Sequence, residues 1–457
     1  MSRETPSATA GGDRAGILSP TYLATTVGMF GLIAFAAFES LAVTTVMPTV
    51  ARDLDGFALY ALSFAAPLAS GVVGMVGAGM WSDRAGPRGP LLVAMVLFSL
   101  GLLVCGTAPG MEVLIAGRVL QGLGGGALVV GVYVVVGLLY PSVLQPAIFA
   151  SFAAAWVLPA LFGPGLAALV AGALGWRWVF LGTIALVALA AALVAPALRR
   201  MEPHPEGTTT PVSRLGWACV AAVAVLALEL LGSAHGPARA GALGALVLVL
   251  AALARLLPTG TLVGRRGLPA VVATRGLLGA AFFCAEAYVV YVLQDRWGLS
   301  VGRAGVALTL VGVVWALSSQ VQSRLGTRIS HPRAMQAGTT VVLVGIAGLT
   351  VCVALRVSGV ALPSLLPIAA YVVAGAGMGF AYPRTSVAML DASTDRDRGA
   401  NSAALSVADS MGAALALSVT GVAYAAAQRG GADPFVVVYV LAGTIGALGV
   451  LAAVRTR

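Results

Sequence analysis

Several ionisable residues interrupt long apolar stretches of this sequence, where a charge is costly. Four of them are Glu39, Arg118, Glu286 and Asp409. A charged side chain near the centre of a bilayer costs roughly 2.5 kcal/mol or more on insertion scales. Because desolvation favours the neutral form of a carboxyl group, such a residue can bind and release a proton when its access to water changes. We therefore consider these four residues candidates for coupling proton movement to transport.

Glu39 and Arg118 are expected to meet inside the membrane. At about 1.5 Å per residue, Glu39 lies about 5 Å outward of the midpoint of its apolar run, and Arg118 about 10 Å outward of its own. An arginine side chain is long enough to close that gap. We predict an ion pair that breaks when Glu39 is protonated. The alternatives are a structural, hydrogen-bonded carboxyl at Glu39 and a guanidinium at Arg118 that reaches the outer membrane surface.

Glu286 occupies the position in the later half of the chain that corresponds to Glu39 in the earlier half. Tyr288, Tyr291 and Gln294 continue the same apolar segment, and their spacing predicts a polar and aromatic strip that faces a substrate cavity. The histidines fall in predicted loops and the cysteines lack metal-ligand spacing, so no metal site is predicted. No nucleophile–base pair that would indicate an enzyme is evident.

The elements that position these residues are membrane-spanning helices. The chain has 457 residues, of which 59% are hydrophobic and 10% are charged, whereas soluble domains carry about 25% charged residues. This composition indicates a polytopic membrane protein. Fourteen apolar runs lie at about 22–50, 57–80, 90–108, 112–139, 143–172, 177–198, 215–232, 239–257, 268–294, 303–323, 335–356, 361–383, 400–427 and 434–454.

The runs group as six, two and six. This grouping predicts an all-α polytopic fold, in which two six-helix bundles flank two inserted helices. Glu229 lies near the outer end of the first inserted helix, and its carboxyl is expected to reach the membrane surface. The predicted divisions are a cytoplasmic tail at 1–21, a first bundle at 22–198, a cytoplasmic linker at 199–214, the inserted pair at 215–257 and a second bundle at 268–457.

The basic residues predict the topology. All 27 are arginine, and most fall in segments that are cytoplasmic if both termini lie inside; Arg275 and Arg384 are counted among them. They are scattered singly over the loops, which does not favour nucleic-acid binding. Arginine without lysine, together with abundant alanine and glycine, suggests a GC-rich bacterial genome. We therefore expect a multi-pass protein of a bacterial plasma membrane.

A short polar segment separates the second and third runs and reads GMWSDRAGPRGP at residues 79–90. Its glycines and prolines predict a tight turn, and its arginines place that turn in the cytoplasm. The segment resembles the signature loop between spans two and three of the major facilitator superfamily, a family of secondary transporters. In that family the loop latches one half of the protein to the other. The resemblance assigns this latch to Gly79, Asp83, Arg84, Gly86 and Arg88.

Two further segments resemble motifs of the same family. The segment from Glu39 to Pro48 is similar to the acidic position in the first span of drug:proton antiporters, with glutamate where aspartate is usual. The segment at 114–126 resembles the fourth-span motif, in which an arginine, here Arg118, takes part in proton handling. The resemblance therefore implies proton-coupling roles for residues that the apolar pattern had already singled out.

The fifth span resembles an antiporter motif only in part. Gly163 and Pro164 match the pair that kinks this helix between the two halves of the family's fold. The usual terminal glycine pair is replaced by Ala167 and Ala168, and a usual earlier glycine by Pro159. The resemblance implies a kink at Gly163–Pro164, while the replaced glycines weaken the inference of antiport.

Together these motifs imply a transporter of the fourteen-span drug:proton antiporter branch. It would export amphipathic small molecules by alternating access, with the proton gradient as its energy source and without a cofactor. Its expected partners are a small-molecule substrate, protons and the lipid bilayer, and we expect it to act as a monomer. Two alternatives remain open, namely export of a lipid, siderophore or endogenous secondary metabolite, and a receptor or scaffold that does not transport.

Overall fold

A computed structural model describes residues 16–141, 143–200, 212–234, 240–325, 328–394 and 397–456. Most of the predicted tail at 1–21 and most of the linker at 199–214 lie outside these residues. The described part is almost entirely helical and contains no strand. Its α-helices are α1 (Leu23–Asp53), α2 (Tyr60–Ala85), α3 (Arg88–Gly106), α4 (Met111–Leu139), α5 (Gln145–Leu174), α6 (Arg177–Arg200), α7 (Val212–Ser233), α8 (Ala240–Leu256), α9 (Leu268–Trp297), α10 (Val301–Leu325), α11 (His331–Val357), α12 (Leu365–Asp391), α13 (Arg398–Gly430) and α14 (Pro434–Val454).

The helices have the length and composition that a bilayer requires. In the described part of the chain, 13 of them are long and apolar enough to cross a membrane, whereas α8 has only 17 residues. In a bilayer the backbone polar groups must be satisfied within each helix, which is why every apolar run forms one. The predicted all-α polytopic fold is confirmed.

The helices pack in two sets of six. In the first set α1 packs on α5 and α6, and α4 packs on α2 and α3. In the second set α9 packs on α13 and α14, and α12 packs on α10 and α11. Two seams join the sets, one where α2 meets α13 and one where α5 meets α10. The inserted helices α7 and α8 pack on each other, and α7 also packs on α2 and α13 along the first seam.

Glycines allow the backbones of α2 and α4 to approach each other closely. A Cβ atom on Gly126 would lie 2.0 Å from the carbonyl oxygen of Gly71, a separation that no side chain can occupy. Small residues are the usual means of close helix packing in membranes, where association depends on van der Waals contact. The glycine-rich stretch of α4 is therefore a packing surface that fixes α4, and with it Arg118, against α2.

The turn between α2 and α3 is shorter than the sequence predicted. The predicted second run ends near residue 80, but α2 continues to Ala85, so Gly79 and Asp83 are helical. The break is confined to Gly86 and Pro87, and Gly86 has a φ of 76°, which is unfavourable for residues with a side chain. Polar residues such as Asp83 are compatible with a helix that projects beyond the bilayer. The predicted end was too early because these polar residues were interpreted as part of the turn.

Candidate transport site

Glu39 of α1 and Arg118 of α4 form a buried ion pair. The Arg118 Nη1 atom donates to the Glu39 Oε1 atom, and the two side chains are only 6% and 7% exposed. The pairing predicted from depth in the membrane is therefore present. A buried ion pair of this kind is sensitive to protonation, because removal of one charge leaves the other without its partner in an apolar environment.

Arg118 also contacts α2 and its own helix. Its Nε atom donates to the backbone carbonyl oxygen of Ser63 at 2.9 Å, and its Nη1 atom donates to the Oε1 atom of Gln121 at 3.1 Å. Gln121 is 2% exposed and in turn accepts from the Cys105 Sγ atom at 3.3 Å. The guanidinium thus has acceptors on three helices, and only the acceptor on α1 can be protonated under mild conditions.

A second buried charge cluster joins α9, α12 and α13. Arg275 Nε lies 3.2 Å from Asp409 Oδ1, and their side chains are 11% and 16% exposed. The Tyr382 hydroxyl donates to Asp409 Oδ2 at 2.5 Å, and the Arg275 guanidinium lies 3.2 Å from the centre of the Tyr382 ring. Asp409 is therefore held by a cation and a phenol at once. The Arg275 Nη1 atom also donates to Thr385 Oγ1 at 3.0 Å.

Arg275 does not lie where the topology count predicts. It was expected in a cytoplasmic segment, whereas it lies seven residues inside α9, or about 10 Å along the helix. An arginine within an apolar run that also contains Glu286 is the signal that could have revealed it. Arg384 was assigned to a cytoplasmic segment in the same way, but it lies within α12 and is 6% exposed.

Glu286 of α9 has a different environment from the two paired acids. Its Oε2 atom accepts from the Tyr371 hydroxyl at 2.9 Å, and the ring of Tyr371 stacks on that of Phe282 with 5.6 Å between centres. Glu286 is partly exposed and belongs to none of the ion pairs formed by the described residues. It is thus a carboxyl group fixed by a phenol and open to a cationic partner.

Aromatic side chains join the two sets of helices at the end where α1 leads into α2. The Tyr60 hydroxyl donates to the backbone carbonyl oxygen of Ala287 at 2.6 Å, and the ring centres of Phe57 and Tyr291 lie 4.9 Å apart. Tyr60 also packs on Tyr288 at 5.3 Å between ring centres. The residues of this aromatic closure are Phe57, Tyr60, Tyr288, Tyr291, Tyr424 and Phe435.

Two residues of the predicted substrate-facing strip belong to this closure instead. Tyr288 and Tyr291 are 1% and 8% exposed, so in this conformation they seal the space between the helix sets instead of lining an open cavity. Gln294 is partly buried beyond them. The spacing correctly placed Tyr288 and Tyr291 on one face of α9, but a sequence does not show whether another helix covers that face.

Gly163 and Pro164 lie within α5, where it meets α10. The Cβ position of Gly305 on α10 lies 3.5 Å from Pro164 Cβ, and that of Gly312 would lie 2.5 Å from Ala160 Cβ. Pro164 therefore faces the second seam between the helix sets, whereas the Cβ position of Gly163 faces Phe38 of α1 at 3.5 Å. The effect of this motif on transport remains a prediction. The same holds for the latch at Asp83, Arg84 and Arg88, whose side chains are partly or fully exposed.

Apolar helices in two sets of six, with buried ion pairs within each set, define a polytopic membrane protein of the transporter class. Residues 29–320 match the family model of the Major Facilitator Superfamily. The chain therefore belongs to the Major Facilitator Superfamily of transporters.

The relatives and solved structures agree with this assignment. The chain is 28% identical to a probable multidrug-efflux transporter of Mycobacterium tuberculosis, over 94% of each chain. It is 30% identical to multidrug resistance protein 3 of Bacillus subtilis, over 34% of this chain and 30% of that protein. Its fold is similar to that of the POT family transporter PepTSo, with a TM-score of 0.70 at 16% identity over 94% and 98% of the two chains. A D-xylose–proton symporter gives a TM-score of 0.65 at 16% identity over 94% and 96%.

Proposed function

We propose that this protein exports amphipathic small molecules in exchange for protons, by alternating access. The observation that carries this proposal is the buried pair of Glu39 and Arg118, which places a group that can be protonated between helices that must move. The relatives named as multidrug-efflux transporters support the export of drug-like compounds. The protein would act as a transporter and not as an enzyme.

The contacts of Arg118 indicate how a proton would act. While Glu39 is ionised, Arg118 holds α1 against α4 and α2. A proton on the Glu39 carboxylate removes the charge that attracts the guanidinium, but the contacts of Arg118 with Ser63 and Gln121 remain. Arg118 then stays in place while α1 is released. Loss of the proton restores the pair, so each cycle moves α1 relative to a fixed arginine.

The proposed orientation follows from the arginines. With both termini in the cytoplasm, the aromatic closure faces the outside and the Gly86–Pro87 turn faces the cytoplasm. This conformation would then be the one that is closed to the exterior. In this proposal a bacterial plasma membrane supplies the proton gradient, no cofactor takes part, and the protein works as a monomer with a small-molecule substrate.

Glu286 supports a preference for cations. A partly exposed carboxyl, fixed by the Tyr371 hydroxyl and outside the ion pairs of the described residues, can attract a positively charged substrate. Aromatic side chains such as Phe282 and Trp315, whose ring centres lie 5.5 Å apart, supply apolar surface nearby. An amphipathic organic cation matches both features.

Transport in proteoliposomes under an imposed pH gradient tests the proposal, with ethidium as the probe. We expect the parent to accumulate ethidium against its gradient and the Glu39→Gln variant to retain only downhill flux. Glu112→Gln is the matched control, because Glu112 is exposed at the start of α4. If the Glu39→Gln variant pumps as well as the parent, Glu39 does not couple the proton. If the parent moves no more ethidium than empty liposomes, the drug-export assignment fails.

A further inference from the structure

Glu229 is buried, contrary to the sequence-based expectation. It was predicted to reach the membrane surface from the end of α7, but it is 1% exposed. Its carboxyl points into the seam between α2 and α13. A Cβ atom on Gly421 would lie 2.6 Å from Glu229 Oε1 and 2.8 Å from Ala61 Cβ. The missing side chain at Gly421 therefore provides the space that the carboxyl occupies.

The carboxyl of Glu229 has unsatisfied polar atoms. The Ser418 hydroxyl of α13 and the Leu62 backbone N–H of α2 lie close to it. At hydrogen-bonding geometry, however, neither Oε1 nor Oε2 has a partner among the described residues, and the same is true of the Ser418 Oγ atom. An acceptor that is buried without a partner costs about 1–3 kcal/mol, and more if it is charged. The site is therefore unfavourable for an ionised carboxylate in this conformation.

No ion pair among the described residues includes Glu229. On α9 the titratable neighbour is Tyr288, which would repel a charged carboxylate if it were itself ionised. On α8 the charged residue is Arg255, which lies over the Trp217 ring of α7, about 18 Å along α7 from Glu229. On α13 the exposed Arg429 lies eight residues after Gly421, or about 12 Å along the helix. Within the described part of the chain, no basic side chain forms an ion pair with Glu229 that would offset its charge.

The position of Glu229 connects the inserted helices to the aromatic closure. Ala61 directly follows Tyr60, and Gly421 lies three residues before Tyr424, so each contact is within one helical turn of a closure residue. The Cβ position of Gly421 lies within 3.0 Å of both the Glu229 carboxyl and Ala61, so the carboxyl fills the space between α2 and α13 at this point.

We propose that Glu229 is a second proton-binding site, and that its neutral form allows α7 to hold α2 and α13 together while the aromatic closure is shut. Release of this proton to water leaves a carboxylate that must be hydrated, which requires the seam to open. The inserted pair would then keep the seam closed or allow it to open according to the protonation of Glu229, and would not serve only as a spacer. The inference rests on the proposed function in treating the closure as one state of the transport cycle.

A distance measurement tests the proposal without any substrate. Spin labels are attached to cysteines that replace the exposed residues Ala58 and Ser300 on either side of the closure, after replacement of the four native cysteines. Distances are recorded in nanodiscs between roughly pH 5.5 and pH 8.5. One proton shifts such an equilibrium by up to about tenfold per pH unit. We expect the ratio of the short-distance to the long-distance population to fall by at least about threefold over this range in the parent.

The Glu229→Gln variant keeps the shape of the neutral acid but cannot ionise. We expect its short-distance population to stay high and to lose this pH response, whereas Glu229→Asp should retain a response. The comparison is repeated in a Glu39→Gln background, which removes the carboxyl of the proposed coupling pair, and with Glu112→Gln as the control. A parent-like pH response in Glu229→Gln, or in Glu229→Ala should the glutamine variant not fold, would overturn the proposal. If Glu39→Gln loses ethidium pumping while its distance populations keep a pH response that depends on Glu229, the two carboxyl groups act independently.

Discussion

The Tyr60 hydroxyl of α2 donates a 2.6 Å hydrogen bond to the backbone carbonyl oxygen of Ala287 on α9, and so joins the two helix sets. Both groups are buried. The bond can exist only while the end of the protein where α1 leads into α2 is closed, because it spans the space between elements that belong to different sets. It is therefore specific to this conformation, and its removal should change the balance between conformations.

We expect Tyr60→Phe to favour opening of this end. The phenyl ring can keep its contacts with Phe57 and Tyr288, while the Ala287 carbonyl loses its donor. A hydrogen bond of this kind contributes about 1 kcal/mol, which corresponds to about a fivefold change in the population ratio. The spin-label pair at residues 58 and 300 measures that ratio directly. An unchanged distance distribution would show that ring packing alone maintains the closure.

A double-mutant cycle should reveal the coupling between Glu39 and Arg118. Arg118→Ala alone leaves a buried carboxylate unpaired, and we expect a loss of about 3 kcal/mol in stability. In the Glu39→Gln background the same replacement should cost less, because no charge is stranded. Thermal unfolding in detergent, monitored by tryptophan fluorescence, gives both values. Additive losses would indicate that the two side chains are energetically independent despite their contact.

Arg275 should be needed for the stability of the second helix set. Arg275→Ala strands Asp409 and removes the cation from the Tyr382 ring, and we expect a loss of about 3 kcal/mol. Arg275→Lys keeps the charge but not the planar group that stacks on the ring, so it should fall between the parent and Arg275→Ala. Arg303→Ala, at an exposed position on α10, is the control and should have little effect. A parent-like melting temperature in Arg275→Ala would contradict this assignment.

Two glycines of α4 offer a matched test of helix packing. A Cβ on Gly126 would lie 2.0 Å from the Gly71 carbonyl oxygen, whereas no neighbour among the described residues lies within 4 Å of the Cβ position of Gly137. We expect Gly126→Ala to lower the stability by about 2 kcal/mol or more, because α2 and α4 would have to separate. Gly137→Ala should be neutral or slightly stabilising, since alanine favours the helix by up to about 1 kcal/mol. Equal melting temperatures would show that α4 can shift without cost.

The sequence predicted the helices well because a bilayer allows few alternatives. Each apolar run had to satisfy its own backbone, so the run near 22–50 became α1 (Leu23–Asp53). The depth argument succeeded for Glu39 and Arg118 for the same reason, since two helices of known direction fix the height of their residues. The end of α2 was misjudged because polar residues can continue a helix beyond the membrane.

Contacts between helices that are distant in the chain could not be predicted from the sequence. Periodicity placed Tyr288 and Tyr291 on one face of α9, but only the packing of α2 shows that this face is covered. Glu229 was misplaced because the space for its carboxyl is created by Gly421, almost two hundred residues later in the sequence. The position of Arg275 within an apolar run could have been recognised, but its partner could not, because Asp409 lies on α13 and a pairing between distant helices leaves no local signal.

The two seams between the helix sets differ in what covers them. Helix α7 packs along the α2–α13 seam, while the α5–α10 seam presents exposed apolar residues such as Phe162 and Val306. Rocking of one set against the other would therefore rearrange lipid acyl chains on one flank and a protein helix on the opposite flank. On the lipid-facing side, at the α5–α10 seam, the resistance to motion should vary with bilayer thickness and composition. On the side that α7 covers, at the α2–α13 seam, the resistance is set by the protein's own side chains.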